Sequence, residues 1–131
     1  MNLPYNKKVM KLFMNPKNMG EIRNADGVGK VGNPTCGDIM WVYIKVSRDK
    51  DKKEFIKNIK FKTFGCAAAI ATSSQITELA KGKKLKDVEK INFKKVIDSL
   101  GGLPLIKVHC SHLAEKALKL AIEDYKNKNG K

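Results

Sequence analysis

The sequence predicts an α+β fold: a small antiparallel sheet of about three strands with helices packed on it. Two observations carry this. Residues 39–46 and 56–64 are dense in β-branched and aromatic side chains and are separated by the polar run 48–53, as in two strands joined by a hairpin. Residues 66–81 and 111–125 repeat small and apolar side chains at helical spacing.

Pro4 suits a first helical turn, and Tyr5, Val9, Leu12 and Phe13 follow at helical spacing. Asn15-Pro16 ends that helix, because proline drives the residue before it into extended geometry. From 20 to 37 the chain is rich in Gly, Asn, Asp and Pro, which predicts a long shaped loop with a short strand around 20–24. In 39–46 both alternating sets are apolar, Met40, Val42 and Ile44 against Ile39, Trp41 and Tyr43, which predicts a strand covered on both faces. In 56–64, Ile59, Phe61 and Thr63 alternate with Lys60 and Lys62, a strand with one wet face.

Residues 66–81 form an alanine-rich helix closed by Gly82. Shorter helical pieces at 85–90 and 93–100 lead to Gly101-Gly102, and 103–108 is extended. Ser111 caps a last helix whose buried stripe is Ala114, Ala117, Leu118, Ala121 and Tyr125, with Glu115 placed to pair with Lys119.

A length of 131 residues suits one domain, 1–131, with a frayed tail expected at 126–131. Basic residues number 27 against 13 acidic ones, a net charge of +14. Only Arg23 and Arg48 are arginines, and no aromatic residues are interleaved among the lysines. Both facts disfavour a nucleic-acid surface and favour a solvated, lysine-rich one. The apolar runs fall far short of the roughly 20 residues of a membrane span. An odd number of cysteines, three, and no signal-like N-terminus point to reduced thiols. The expected place is the cytoplasm, or an organelle matrix in a eukaryotic source.

The three thiols all fall at element boundaries. Cys36 stands in Gly32-Asn33-Pro34-Thr35-Cys36-Gly37-Asp38, Cys66 in Phe64-Gly65-Cys66-Ala67, and Cys110 in His109-Cys110-Ser111. A structural cysteine is usually found within an apolar stripe instead. Cys66 and Cys110 precede or open helices, where the unpaired N–H groups favour thiolate, the form that binds metal and accepts sulfur. Asp38 and His109 lie beside these thiols and add a carboxylate and an imidazole.

At these residues the sequence resembles the IscU/NifU-type iron–sulfur cluster assembly scaffolds, on the IscU branch. Residues 32–38 are similar to the family's first cysteine motif, Phe64-Gly65-Cys66-Ala67-Ala68-Ala69 to the second, and Val108-His109-Cys110-Ser111-His112-Leu113-Ala114 to the third. His109 sets the chain apart from the SufU branch, which lacks it. Leu103, Pro104, Leu105, Ile106 and Lys107 resemble the family's Leu-Pro-Pro-Val-Lys segment, with Leu105 for the second proline and Ile106 for the valine.

The resemblance implies a SufE/NifU-like fold and a non-enzymatic role. Such a scaffold takes persulfide sulfur from a cysteine desulfurase, combines it with Fe2+, and builds a transient [2Fe-2S] cluster for acceptor apoproteins. Ferredoxin, a frataxin-like protein and Hsp70/J-domain chaperones are the further partners implied, the chaperone at 103–107. Cys36, Cys66 and Cys110 would be cluster ligands, with Asp38 or His109 completing the set and Cys110 the sulfur acceptor. The same donors suit Zn2+. The rival expectations are a zinc-binding interaction or nucleic-acid-associated module, and a thiol enzyme with Cys110 as nucleophile and His109 as base.

Overall fold

The computed structural model describes residues 7–33, 38–64, 67–99, 101 and 108–129. In chain order the elements are α1 (Lys7–Met14), β1 (Gly27–Asn33), β2 (Asp38–Arg48), β3 (Glu54–Phe64), α2 (Ala67–Ala80), α3 (Leu85–Val88), α4 (Phe93–Ser99) and α5 (Val108–Asn129). The strands form one antiparallel sheet in the order β1-β2-β3. The β2–β3 hairpin closes through residues 49–53, where Asp49 Oδ1 accepts the N–H groups of Asp51 (2.8 Å) and Lys53 (3.0 Å). Asp49 is held below the usual carboxylate range chiefly by the Lys53 N–H.

One face of the sheet carries Val31, Met40, Val42, Ile44, Ile59 and Phe61, all buried. α5 packs against β1 and β2 on this face, α2 against β3 and α5, α1 against α2, and α4 against α5. The expected stripe of α5 is buried throughout, from Ala114 to Tyr125, and Lys119 pairs with Glu115 at 2.6 Å. Gly82 has φ +82°, the left-handed geometry that stops α2. Asn92 Oδ1 accepts the Lys95 N–H at 3.0 Å and caps α4.

Several expectations are corrected. No strand occupies 20–24, which bends and turns; an isolated bridge joins Met19, just before it, to Phe61, and β1 lies at Gly27–Asn33, inside the expected loop. The reason is packing. A Cβ on Gly27 would overlap the Ala121 carbonyl oxygen, and one on Gly29 the Ala117 carbonyl oxygen. These glycines belong to a strand over which a helix passes closely, not to a turn. Among the described residues, β2 is covered by helices on one face only: Ile39, Trp41 and Tyr43 remain partly exposed. α5 starts at Val108, so Ser111 lies within the helix rather than capping it, and the helix continues through Asn129 in place of a tail frayed from 126. Lys126 there pairs with Glu89, and Lys128 with Asp124 at 3.0 Å.

α2 shows why its periodicity is blurred. Thr72, Ser73, Ser74 and Thr77 are fully buried. Ser74 Oγ accepts the Lys17 N–H (2.8 Å) and donates to the Lys17 carbonyl (3.1 Å), while Thr77 Oγ1 accepts from Asn18 Nδ2 (3.1 Å). Satisfied hydroxyls thus fasten the 15–20 segment to the helix at little desolvation cost.

Candidate metal centre

The strand ends meet where the sulfur-bearing segments join the sheet. β1 ends at Asn33 and β2 starts at Asp38, and the two are register partners. Next to them, Ile39 is paired with Phe64, the last residue of β3. Thr63 Oγ1 donates to the Ile39 carbonyl at 2.7 Å, which ties β3 to β2 at this end. α2 then begins at Ala67, three residues beyond Phe64. Asn33 and Asp38 flank Cys36 in sequence, and Phe64 and Ala67 flank Cys66.

The register of α5 against β1 adds the third segment. Gly27 faces Ala121 and Tyr125, and Gly29 faces Ala117 and Ala121. Advancing two residues along the strand, roughly 6.6 Å, therefore steps back about four residues along the helix, roughly 6 Å. Two more such steps bring the Asn33 end of β1 level with the first turn of α5, which holds His109 and Cys110. That turn opens a 22-residue helix, so its free N–H groups favour an anionic side chain.

Asp38 is thus the first residue of β2, and His109 and Cys110 belong to the opening turn of α5, at the same end of the sheet. Cys36 and Cys66 lie outside the described residues, as do Leu103, Pro104, Leu105, Ile106 and Lys107. Among the described residues, no group of three or more His, Cys, Asp or Glu comes together to hold a metal. The candidate donors are three thiols with a carboxylate and an imidazole, a set whose soft sulfurs fit iron–sulfur clusters and Zn2+ alike.

Lys62 Nζ donates to Glu21 Oε2 at 2.8 Å, and this bond holds Lys62 above the usual lysine range. Burial pushes the Tyr43 phenol up, with the Glu21 carboxylate adding to the effect. At the far end, Tyr125 Oη donates to Glu54 Oε2, which joins α5 to β3. Asp124 Oδ2 accepts the Val28 N–H at 2.9 Å and fixes α5 along the edge of β1. Gly27 and Gly29 are the residues that site reasoning from sequence passed over. Their spacing of two, which puts both on one face of a strand, was the signal available.

Residues 4–131 match the NifU-like N terminal domain family. The chain belongs to this family. This NifU-like domain is 58% identical over 127 residues to iron-sulfur cluster assembly scaffold protein IscU 1 of Archaeoglobus fulgidus, a match covering 97% of this chain and 80% of that protein. It is 45% identical over 131 residues to the IscU scaffold protein of Aquifex aeolicus, covering 100% of this chain and 82% of that one. The crystal structure of a NifU-like protein (N-terminal) from Brucella abortus superposes with a TM-score of 0.69 at 19% identity, over 95% of this chain and 96% of that one. At that identity the likeness concerns the fold, and it agrees with the α+β architecture of the NifU-like domain described above. No helix among its described residues is long and apolar enough to cross a membrane.

Proposed function

We propose that this NifU-like domain is a scaffold on which iron–sulfur clusters are assembled and released, not an enzyme. The observation that supports this most is the gathering, at one end of the sheet, of the strand ends flanking Cys36 and Cys66, with the register of α5 on β1 running its first turn toward the same end. A cluster is cargo here, a [2Fe-2S] unit built from Fe2+ and sulfide. Cys36, Cys66 and Cys110 are its proposed ligands, with Asp38 or His109 as the fourth. Zn2+ competes for the same thiolates when iron is absent.

Sulfur arrives as a persulfide on a cysteine desulfurase. The Cys110 thiolate attacks the terminal sulfur, forms a new S–S bond, and expels the desulfurase cysteine as thiolate. That sulfur is zero-valent, so each sulfide needs two electrons, for which a ferredoxin is the proposed source. A frataxin-like protein, acceptor apoproteins and Hsp70/J-domain chaperones complete the proposed partners, the chaperone gripping 103–107. The work is proposed to take place in the cytoplasm or an organelle matrix. Neither nucleic acid nor a membrane is among the proposed partners.

A fourth ligand of oxygen or nitrogen binds a thiophilic cluster less firmly than a fourth thiolate, which eases release. The test is anaerobic incubation with a desulfurase, cysteine, Fe2+ and reductant, followed by visible absorbance and transfer to an apo-ferredoxin. Wild-type protein is expected to develop cluster absorbance and pass it on. Asp38→Ala is expected to transfer several-fold more slowly; unchanged or faster transfer leaves the fourth position to His109. Tightly held zinc with no visible absorbance would overturn the scaffold role in favour of a zinc-binding module.

A further inference from the structure

A cleft of about 560 Å³ lies at the end of the sheet opposite the cysteine-bearing segments, outside the core and outside the proposed cluster site. β2 runs from Asp38 at one end to Arg48 at the other, roughly 30 Å of strand. Arg48 and Glu54, register partners at the hairpin, form one wall of the cleft. The loop after α2 forms the second. There the Ile56 N–H donates to the Lys83 carbonyl and the Gly82 N–H to the Ile56 carbonyl, both at 2.9 Å, and Lys84 bridges to Phe55, so the loop is bonded to β3 like a short added strand. Glu89 and Lys126, joined by an ion pair, bound the third side, and Leu85, 6% exposed, adds an apolar patch to the lining.

The charge of this cleft is one-sided. Arg48 and five lysines line it against two carboxylates, and both carboxylates are already engaged. Glu54 accepts from Tyr125 Oη and lies 3.8 Å from the Arg48 guanidinium, while Glu89 is held by Lys126. Lys84 has Asp49 at 4.0 Å. Lys52, Lys53 and Lys86 form no ion pair among the described residues. Lys52, moreover, is placed at a backbone cost. Its φ is +64° in the turn where its N–H donates to the Asp49 carbonyl at 2.9 Å, a position that glycine or asparagine ordinarily fills. The chain thus carries a cation on the cleft where the turn by itself favours glycine. No aromatic side chain among the described residues lines the cleft.

We propose that this cleft binds a compact oligophosphate anion by its phosphate chain, whether the chain belongs to a nucleoside triphosphate or to inorganic polyphosphate. Three unpaired ammonium groups around one hollow concentrate positive potential, and a triphosphate brings several negative charges in a small volume. Lysine meets phosphate as a mobile point charge without the directed fork of arginine, which suits a flexible chain better than one fixed oxyanion. With no ring in the lining, a base has nothing to stack on, so the nucleoside adds little. The volume suits a small ligand. Cations gathered around one hollow, in place of a stripe or a helix face, make a nucleic-acid polymer the poorer fit. The site stands apart from the cysteine end and holds whatever is assembled there.

The full chain is titrated at low ionic strength with tripolyphosphate, ATP, GTP, inorganic phosphate and a short single-stranded oligonucleotide, and binding is followed by calorimetry and amide shifts. Tripolyphosphate, ATP and GTP are expected to bind saturably and within about threefold of one another. Shifts are expected at 48–54, 83–89 and 126, with binding that weakens as salt rises. Inorganic phosphate is expected to bind about tenfold more weakly, having fewer charges to offer. Lys86→Gln is expected to weaken tripolyphosphate several-fold. Lys52→Gly removes a cation and relieves the turn, so affinity is expected to fall several-fold while the thermal midpoint holds or rises. Lys11→Gln, on an exposed position of α1, removes the same charge elsewhere and is expected to leave binding unchanged. The proposal is overturned by the absence of saturable binding, by shifts spread over lysines throughout the chain, or by equal losses in Lys11→Gln and Lys86→Gln. Each of these would reduce the cleft to the general attraction of a +14 chain. A preference of more than about tenfold for one nucleotide over tripolyphosphate overturns recognition by the phosphate chain, and tighter binding of the oligonucleotide overturns a compact ligand. None of these readouts depends on iron or sulfide, so failure of cluster assembly leaves this test intact.

Discussion

The two faces of β2 carry comparably apolar side chains and meet opposite fates. Met40, Val42 and Ile44 are completely buried, whereas Ile39, Trp41 and Tyr43, one residue out of phase on the same strand, stay partly exposed. The difference arises on the neighbouring strand. Gly27 and Gly29 offer no side chain on the inner face, so the backbone of α5 comes into contact there. On the outer face the neighbours of Trp41 are Lys30 and Lys62, which keep that surface hydrated at its rim. An apolar strand face thus marks a surface that gains by being covered; whether a helix of the same chain or another molecule covers it depends on the strand next door.

The sharpest way to break this comparison is to truncate one aromatic on each face. Phe61 is fully buried on the inner face, so Phe61→Ala is expected to cost about 3–5 kcal/mol in urea unfolding. Trp41→Ala is expected to cost only about 1 kcal/mol, the scale of its edge-on contact with Phe64. Equal losses would mean that the outer face is core after all.

A somewhat smaller effect tests the cause. Gly29→Ala adds a single methyl group, but that group meets the Ala117 carbonyl oxygen and lies 2.6 Å from the Ala121 nitrogen, both backbone atoms that cannot rotate aside. A loss of about 2–3 kcal/mol is expected, together with weaker metal uptake, because the first turn of α5 would shift relative to Asn33 and Asp38. A melting temperature within error of wild type would remove the close approach as the explanation for β1.

The smallest expected effect concerns the edge of β1. The Val28 N–H and then Lys128 hold the Asp124 carboxyl below its ordinary value of 3.8. A lowered folded-state pKa means that the stabilisation is complete above the unfolded value and is lost as pH falls through the folded one. Asp124→Asn is expected to cost under about 1 kcal/mol at pH 6. The gap between variant and wild-type urea midpoints should close below pH 4. A gap that is constant from pH 6 to 3 would show that the charge plays no part.

Much of the fold was legible where local chemistry and tertiary need agree. The β2–β3 hairpin, the Gly82 stop and the α5 stripe follow from periodicity and caps that the final packing preserves. β1 was not legible, because glycine is the same letter whether it serves a turn or a close helix crossing. The start of α5 was misplaced because Ser111 is a good cap, yet the helix begins three residues earlier at Val108. At the candidate site, Asp38, His109 and Cys110 stood out in sequence by residue type and boundary position. That their segments share one end of the sheet could not be read there, since it depends on the antiparallel register of α5 on β1.

Residue order alone settled which chemistry is on offer: three thiols, each at an element boundary, with a carboxylate and an imidazole as neighbours, in a strongly basic chain. Such preferences are local, acting over a few residues through side-chain bulk, capping and charge. Only the tertiary structure decided that a glycine-rich stretch is a strand, that among the described residues no helix packs on the outer face of β2, and that the strand ends flanking Cys36 and Cys66 lie at one end of the sheet. Those outcomes depend on two backbones approaching closely across some 90 residues of intervening chain, and no window of sequence contains both partners.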